Sequence, residues 1–148
     1  MQIKNKHYEH VDGNHAKVGI VVARFNQEIT NELLKSALTM LKKCNVDEKN
    51  IRVVWVAGSV EIPFALHKLA QSKKYDFLVA LGCVIRGDTP HFDYVCKMAQ
   101  EGVLKVMIED NIPVGFGVLT LENTQQAKAR LHVGGEAVLA ALELDLMK

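Results

Sequence analysis

Cysteine, proline and aromatic residues are all scarce in this 148-residue chain, and each scarcity excludes something. The three cysteines (Cys44, Cys83 and Cys96) are odd in number and form no CxxC pair. They therefore build neither a disulfide framework nor a zinc ribbon, and read as reduced thiols of a cytoplasmic protein. Three prolines and ten glycines are spread without repeat or low-complexity tract, so no linker is visible. Aromatic residues make up 6% of the chain while apolar residues as a whole reach 49%, which describes a largely aliphatic core. Net charge is +1 with no basic block, so bulk attraction to nucleic acid or a membrane surface is disfavoured. No apolar run approaches membrane-spanning length. Lys4, Lys6, His7, Glu9 and His10 occupy the start of the chain, which is read as no signal peptide. His7, His10 and His15 lack the spacing and neighbours of a zinc site, and no metal is expected. Neither a GxGxxG fingerprint nor a Walker loop is present, which disfavours an ordinary nucleotide fold.

What is there is a regular alternation. Residues 1–148 are read as one domain, large enough to bury roughly 68–70% of the surface of the unfolded chain. Residues 1–17 are polar and read as an N-terminal arm or an edge strand borrowed by a neighbour. Four short apolar runs follow: Val18–Ala23, Ile51–Val56, Phe77–Leu81 and Val114–Thr120. Helical spacing separates them, carried by Ile29, Leu33, Ala37 and Leu41, then by Leu66 and Leu69, then by Val95, Ala99 and Val103. Asn26 is expected to cap the first helix. A further helix carrying Ala127 and Arg130 is expected to break at Gly134-Gly135, and a last helix to run from Glu136 to Met147. Strand–helix alternation of this kind implies a four-stranded parallel sheet, order 2-1-3-4, with helices on both faces in a three-layer α/β/α sandwich.

The most informative stretch runs from Ala80 to Cys96. A buried strand enters it and passes through a glycine turn, where Gly82 and Gly87 let the backbone bend or approach a ligand closely, and Pro90 opens a helix. Asp88 or Thr89 can cap that helix. Backbone N–H groups at Gly87, Asp88 and Thr89 then form an anion site for which phosphate is the natural guest, with His91 in the next turn. The plainer reading is an ordinary helix start that binds nothing. Phe25, at the turn after the first strand, either packs under the next loop or faces a ligand. Glu61 opens the second helix, where the helix dipole alone would favour a carboxylate, and His67 reads as a surface residue. Phe25, Ser59, Glu61, Val84, Ile85, Gly87, Asp88, Thr89 and His91 all fall in turns at one predicted sheet edge. Ligands of such sheets bind at that carboxyl edge.

Ala23-Arg-Phe-Asn26, Gly58-Ser-Val-Glu-Ile-Pro63 and Gly82-Cys-Val-Ile-Arg-Gly-Asp-Thr-Pro-His-Phe-Asp-Tyr-Val95 together resemble the lumazine synthase family. Pro113-Val-Gly-Phe-Gly-Val-Leu-Thr120 and Glu122-Asn-Thr-Gln-Gln-Ala127 continue the likeness, which runs from about residue 16 to the end. The resemblance implies a flavodoxin-like fold and a transferase of riboflavin biosynthesis. Its reaction condenses 5-amino-6-(D-ribitylamino)uracil with 3,4-dihydroxy-2-butanone 4-phosphate, without metal or cofactor. The resemblance gives Phe25 to stacking on the pyrimidine, Ser59, Val60 and Glu61 to the ribityl chain, and the main chain at Cys83, Val84 and Ile85 to the heterocycle. Asp88, Thr89 and Arg130 are given to the phosphate and His91 to proton transfer. Phe116 matches an aromatic that reaches a neighbouring subunit's site. The implied assembly is a homopentamer with active sites between subunits, which some members build into icosahedral shells; riboflavin synthase is a candidate second partner.

Three departures qualify the likeness. Ala57 stands where the family commonly has proline, and Asp88 where alanine or glutamate is commoner. Leu131-His-Val-Gly-Gly135 is shorter than the loop of many members and lacks their lysine, a place that His132 is expected to fill. The short segment favours an isolated pentamer. Two other classes compete: a lumazine- or flavin-binding protein of the same fold without catalysis, and a phosphate-ester hydrolase. Intact His91 and Arg130 speak against the first, and the want of an activated nucleophile against the second.

Overall fold

The computed structural model describes residues 11–147. The four apolar runs form β1 (Val18–Ala23), β2 (Ile51–Val56), β3 (Phe77–Ile85) and β4 (Val114–Leu121). Every neighbouring pair is parallel, in the order β2-β1-β3-β4. Central β1 is buried throughout and β3 is buried up to Val84, whereas edge strand β2 is half-exposed. Between and after the strands run α1 (Gln27–Lys43), α2 (Ile62–Gln71), α3 (His91–Glu109) and α4 (Val133–Asp145).

Successive strand residues point to opposite faces, so each face has its own core. On one side Ile20, Val22, Val79 and Leu81 meet Leu33, Ala37 and Leu41 of α1 and Val138 and Leu142 of α4. On the other, Val21, Ala23, Leu78 and Ala80 meet Ile62, Leu66 and Leu69 of α2 and Val103 and Val106 of α3. Each large side chain so buried contributes about 1.5–3 kcal/mol. The architecture is a flavodoxin-like three-layer sandwich. Among the described residues, no helix is long and apolar enough to cross a membrane.

Glycine works here mainly by close approach between elements, which corrects two expectations. Gly82 lies inside β3, not in a turn; a Cβ there would come within 2.6 Å of Ser59 Oγ. Gly134 and Gly135 do not break a helix. They sit buried in the first turn of α4, where a Cβ on Gly134 would lie 2.1 Å from Leu33 O of α1. Gly115 likewise leaves room for α4, since its Cβ would stand 2.0 Å from Ala137 O. The segment between Thr124 and Arg130 is a 3-10 helix, and only Leu131 and His132 connect it to α4.

Helix ends follow local chemistry. α1, α2 and α3 each stop close to a left-handed residue: Asn45 (φ 65°), Lys73 (φ 60°) and Asn111 (φ 51°). Asp110 closes α3, with Oδ2 2.9 Å from His67 Nδ1 and Oδ1 accepting from Gln71 Nε2 at 3.0 Å, so exposed His67 bridges α2 to α3. The arm expected over residues 1–17 falls partly outside the described residues, as do His7 and His10. From Val11 to Lys17 the chain forms no strand. Gly13 N–H donates to Cys44 O at 2.6 Å, Ala16 is fully buried, and His15 Nε2 lies 2.9 Å from Asp145 Oδ2.

Candidate functional site at the carboxyl edge of the sheet

The turns after β1, β2 and β3 converge on one open cleft of about 540 Å³. Arg24 N–H donates to Val56 O at 2.8 Å and Phe25 N–H to Ala57 O at 3.0 Å. The parallel ladder thus reaches past β1 and fixes the Phe25 backbone. Its ring is left 72% exposed at the cleft wall, so Phe25 is not packed under a loop. Asn26 occupies the N-cap position of α1, but its side chain makes no capping hydrogen bond. It is left-handed (φ 62°), and its side-chain Nδ2 donates to Cys83 O at 2.9 Å, tying the β1 turn to β3.

Ser59, Val60 and Glu61 form a 3-10 turn leading into α2, and all three line the cleft. Ser59 is buried in the space that Gly82 leaves free, while Glu61 is exposed. Across from them, Cys83, Val84 and Ile85 supply the last residues of β3. Burial pushes the Cys83 thiol up to about 11, so it remains protonated near neutral pH and offers no thiolate nucleophile. Cys44 and Cys96 are raised as well, first by burial and then by Asp12 and Asp93 respectively.

Gly87, Thr89 and His91 complete the wall. Neither Asp88 nor Thr89 makes a firm cap: α3 begins at His91, whose N–H reaches Thr89 Oγ1 only at 3.4 Å. Asp88 is exposed and lies outside the lining. Four lining residues, Ala57, Gly58, Phe92 and Val95, were not singled out by the sequence reading as site residues. Val95, expected in the apolar stripe of α3, and Phe92 are both half-buried and line the cleft. Val95 lies one turn after His91 (i+4) and Phe92 three residues before Val95, and that helical spacing was the available signal.

Phe116 and Arg130 are not in this cleft. They line a separate groove of about 670 Å³ between β4 and α4, with His132, Glu136 and Leu144. Arg130 is exposed, and its Nη1 donates to Gln126 O at 2.8 Å; His132 Nε2 stands 3.6 Å from Glu136 Oε1. His132 therefore does share a groove with Arg130. Among the described residues, no group of three or more His, Cys, Asp or Glu side chains is arranged to hold a metal ion.

Arg86 is a further residue that sequence reasoning missed. Its Nε donates to Glu122 Oε2 at 2.8 Å, Nη1 lies 3.6 Å from Asp93 Oδ1, and its guanidinium carbon sits 4.4 Å from the Phe92 ring centroid. The Glu122 hydrogen bond is the main cause of a guanidinium pKa above the ordinary arginine value.

Sheet order and cleft together define a flavodoxin-like α/β protein with an open cleft at the carboxyl ends of its strands, the edge at which ligands of such sheets bind. Within that class the assignment is narrower. The chain belongs to the 6,7-dimethyl-8-ribityllumazine synthase family, a family of riboflavin biosynthesis whose model matches residues 15–148.

Proposed function

We propose that this protein condenses 5-amino-6-(D-ribitylamino)uracil with 3,4-dihydroxy-2-butanone 4-phosphate to give 6,7-dimethyl-8-ribityllumazine, phosphate and water. The observation that carries this reading is the cleft itself. An exposed aromatic, a Ser59–Glu61 turn, an open Gly87–Thr89 turn and a histidine come from three separate stretches to one wall.

The chemistry suits those groups. A planar uracil stacks on Phe25, which adds about 0.5–1.5 kcal/mol beyond burial. Glu61 accepts hydrogen bonds from ribityl hydroxyls beside Ser59, and the main chain of Cys83 to Ile85 addresses the ring edge. The phosphate lies at the N-terminus of α3, against the backbone of Asp88 and the hydroxyl of Thr89. Attack of the amine on the ketone, loss of water, elimination of phosphate and ring closure all move protons. His91 sits where it can take and return them, a role that supplies roughly a hundred- to ten-thousand-fold in rate.

Arg130 and Phe116 fit this scheme as donations to a neighbouring copy. In their own subunit they occupy the other groove, so the site is completed across a subunit boundary in a homo-oligomer, the isolated pentamer being the form we favour. An Arg130 fork then clamps the phosphate bidentately from the adjacent chain.

Mixing both substrates with purified protein and following lumazine absorbance against an enzyme-free control tests the reading. Acceleration is expected. Tight lumazine binding with no acceleration would instead establish a binder of the same fold.

A further inference from the structure

The turn from Gly87 to Pro90 carries the proposed phosphate contact and delivers His91, yet little within it holds it in place. All four of its residues are exposed, and a Cβ on Gly87 would meet nothing within 4 Å. The Thr89 hydroxyl is 3.4 Å from His91 N, too long to act as a firm cap. Arg86, the residue just before it, is by contrast tied on several sides. Its N–H closes the ladder on Leu121 O at 2.8 Å, and its Nε bonds Glu122 at 2.8 Å. The same guanidinium lies over Phe92 at 4.4 Å and 3.6 Å from Asp93, the two residues that follow His91.

We propose that Arg86 is the positioning residue of this turn, joining the end of β3 and the segment after β4 to the first turn of α3, so that Thr89 and His91 keep one geometry. The inference rests on the function proposed above. Arg86 touches no reacting atom. It acts through Phe92, whose ring lines the cleft, and through the helix start that bears His91. Its ion pairs are with exposed carboxylates, and such pairs add little to global stability. Its effect should therefore appear in catalysis rather than in folding. Lysine keeps the charge but not the planar face over Phe92 or the Nε bond, so it is a poor replacement.

The test measures steady-state rates of the full-length assembly for Arg86→Gln, Arg86→Lys and Glu122→Gln, varying each substrate in turn. Arg86→Gln is expected to lower kcat about 10- to 100-fold, the order of loss that a small misplacement causes, with KM for the butanone phosphate raised. KM for the uracil should stay within about twofold, and the melting temperature within a few degrees. Arg86→Lys should remain closer to Gln than to wild type. Glu122→Gln, which leaves the guanidinium in place, should show a smaller loss that adds nothing in the Arg86→Gln background. If Arg86→Gln cannot be purified folded, the Glu122→Gln split between the two substrates decides the matter. Unchanged kcat, or equal rises in both KM values, would overturn the inference. A wild type that fails to accelerate the reaction would remove the functional reading and this inference with it; against an active wild type, failure belongs to Arg86 alone.

Discussion

His91 stands exposed at the first turn of α3, beside Thr89, in the wall that also holds Phe25 and Glu61. His91→Ala is expected to lower kcat by roughly 10²–10⁴ while moving the KM of either substrate far less, because proton transfer is lost and the binding surfaces are not. An unchanged kcat would take His91 out of the chemistry. Cys83, buried and held protonated, is expected to serve through its main chain rather than its sulfur. Asp110 gives a separate residue-scale expectation. Its carboxyl is held below the ordinary value, first by the His67 hydrogen bond, against some desolvation, with further help from Gln71 and from the charges of His67 and Lys73. The folded value lies below the unfolded one, so as pH falls the unfolded chain takes up the proton first. The stabilisation is complete above about pH 4 and is lost as pH drops through the depressed folded value. Wild type should therefore lose melting temperature relative to Asp110→Asn as pH falls from about 5 through the depressed folded value, the difference levelling off below it. Parallel curves across that range would show that the His67–Asp110 bond does not shift the carboxyl.

Elements pack here with almost no clearance at particular glycines. Gly134→Ala would drive a methyl to within 2.1 Å of the Leu33 carbonyl, with backbone on both sides and nothing free to give way. We expect a loss of about 1–3 kcal/mol or more in urea unfolding, since forced overpacking costs that much. Gly87→Ala, with open space around it and no positive φ, should unfold like wild type within about 0.5 kcal/mol. Equal behaviour of the two variants would mean that α1 and α4 can slide apart. The same glycines mark the limit of what was legible. β1 and β2 were readable residue by residue, because runs such as Val18–Ala23 have one meaning inside a parallel sheet. Gly82, Gly115 and Gly134 were legible as exceptions but not in their reason. A glycine that bends the chain and one that admits a neighbour look alike until the neighbour is known. Asn26 was misread similarly: its acceptor, Cys83 O, comes from another strand.

Across the whole molecule, the turns at one sheet edge were foreseeable from topology alone, and Phe25, Ser59, Glu61, Thr89 and His91 do converge there. The placement of Arg130 was not, since a chain read singly carries no sign of which of its surfaces belong to one another; only the family resemblance pointed Phe116 elsewhere. Arg86 escaped notice for a related reason: Glu122 reaches it only because β4 pairs with β3. The shared-site scheme makes a clear demand on mixed assemblies. His91→Ala and Arg130→Ala proteins, each nearly inactive alone, should regain activity when unfolded together and refolded as hybrids, with about one quarter of sites intact in an equal random mixture. No recovery, with hybrid assembly demonstrated by mass, would place both residues in a site that one chain makes alone. The distance between cleft and groove on a single chain also bears on inheritance. Under the proposed shared site, a chain damaged at both surfaces would spoil its own site and the one it lends to its neighbour. A cell making such chains beside sound ones would then lose more activity than the damaged share of its protein, and the defect would behave as partly dominant.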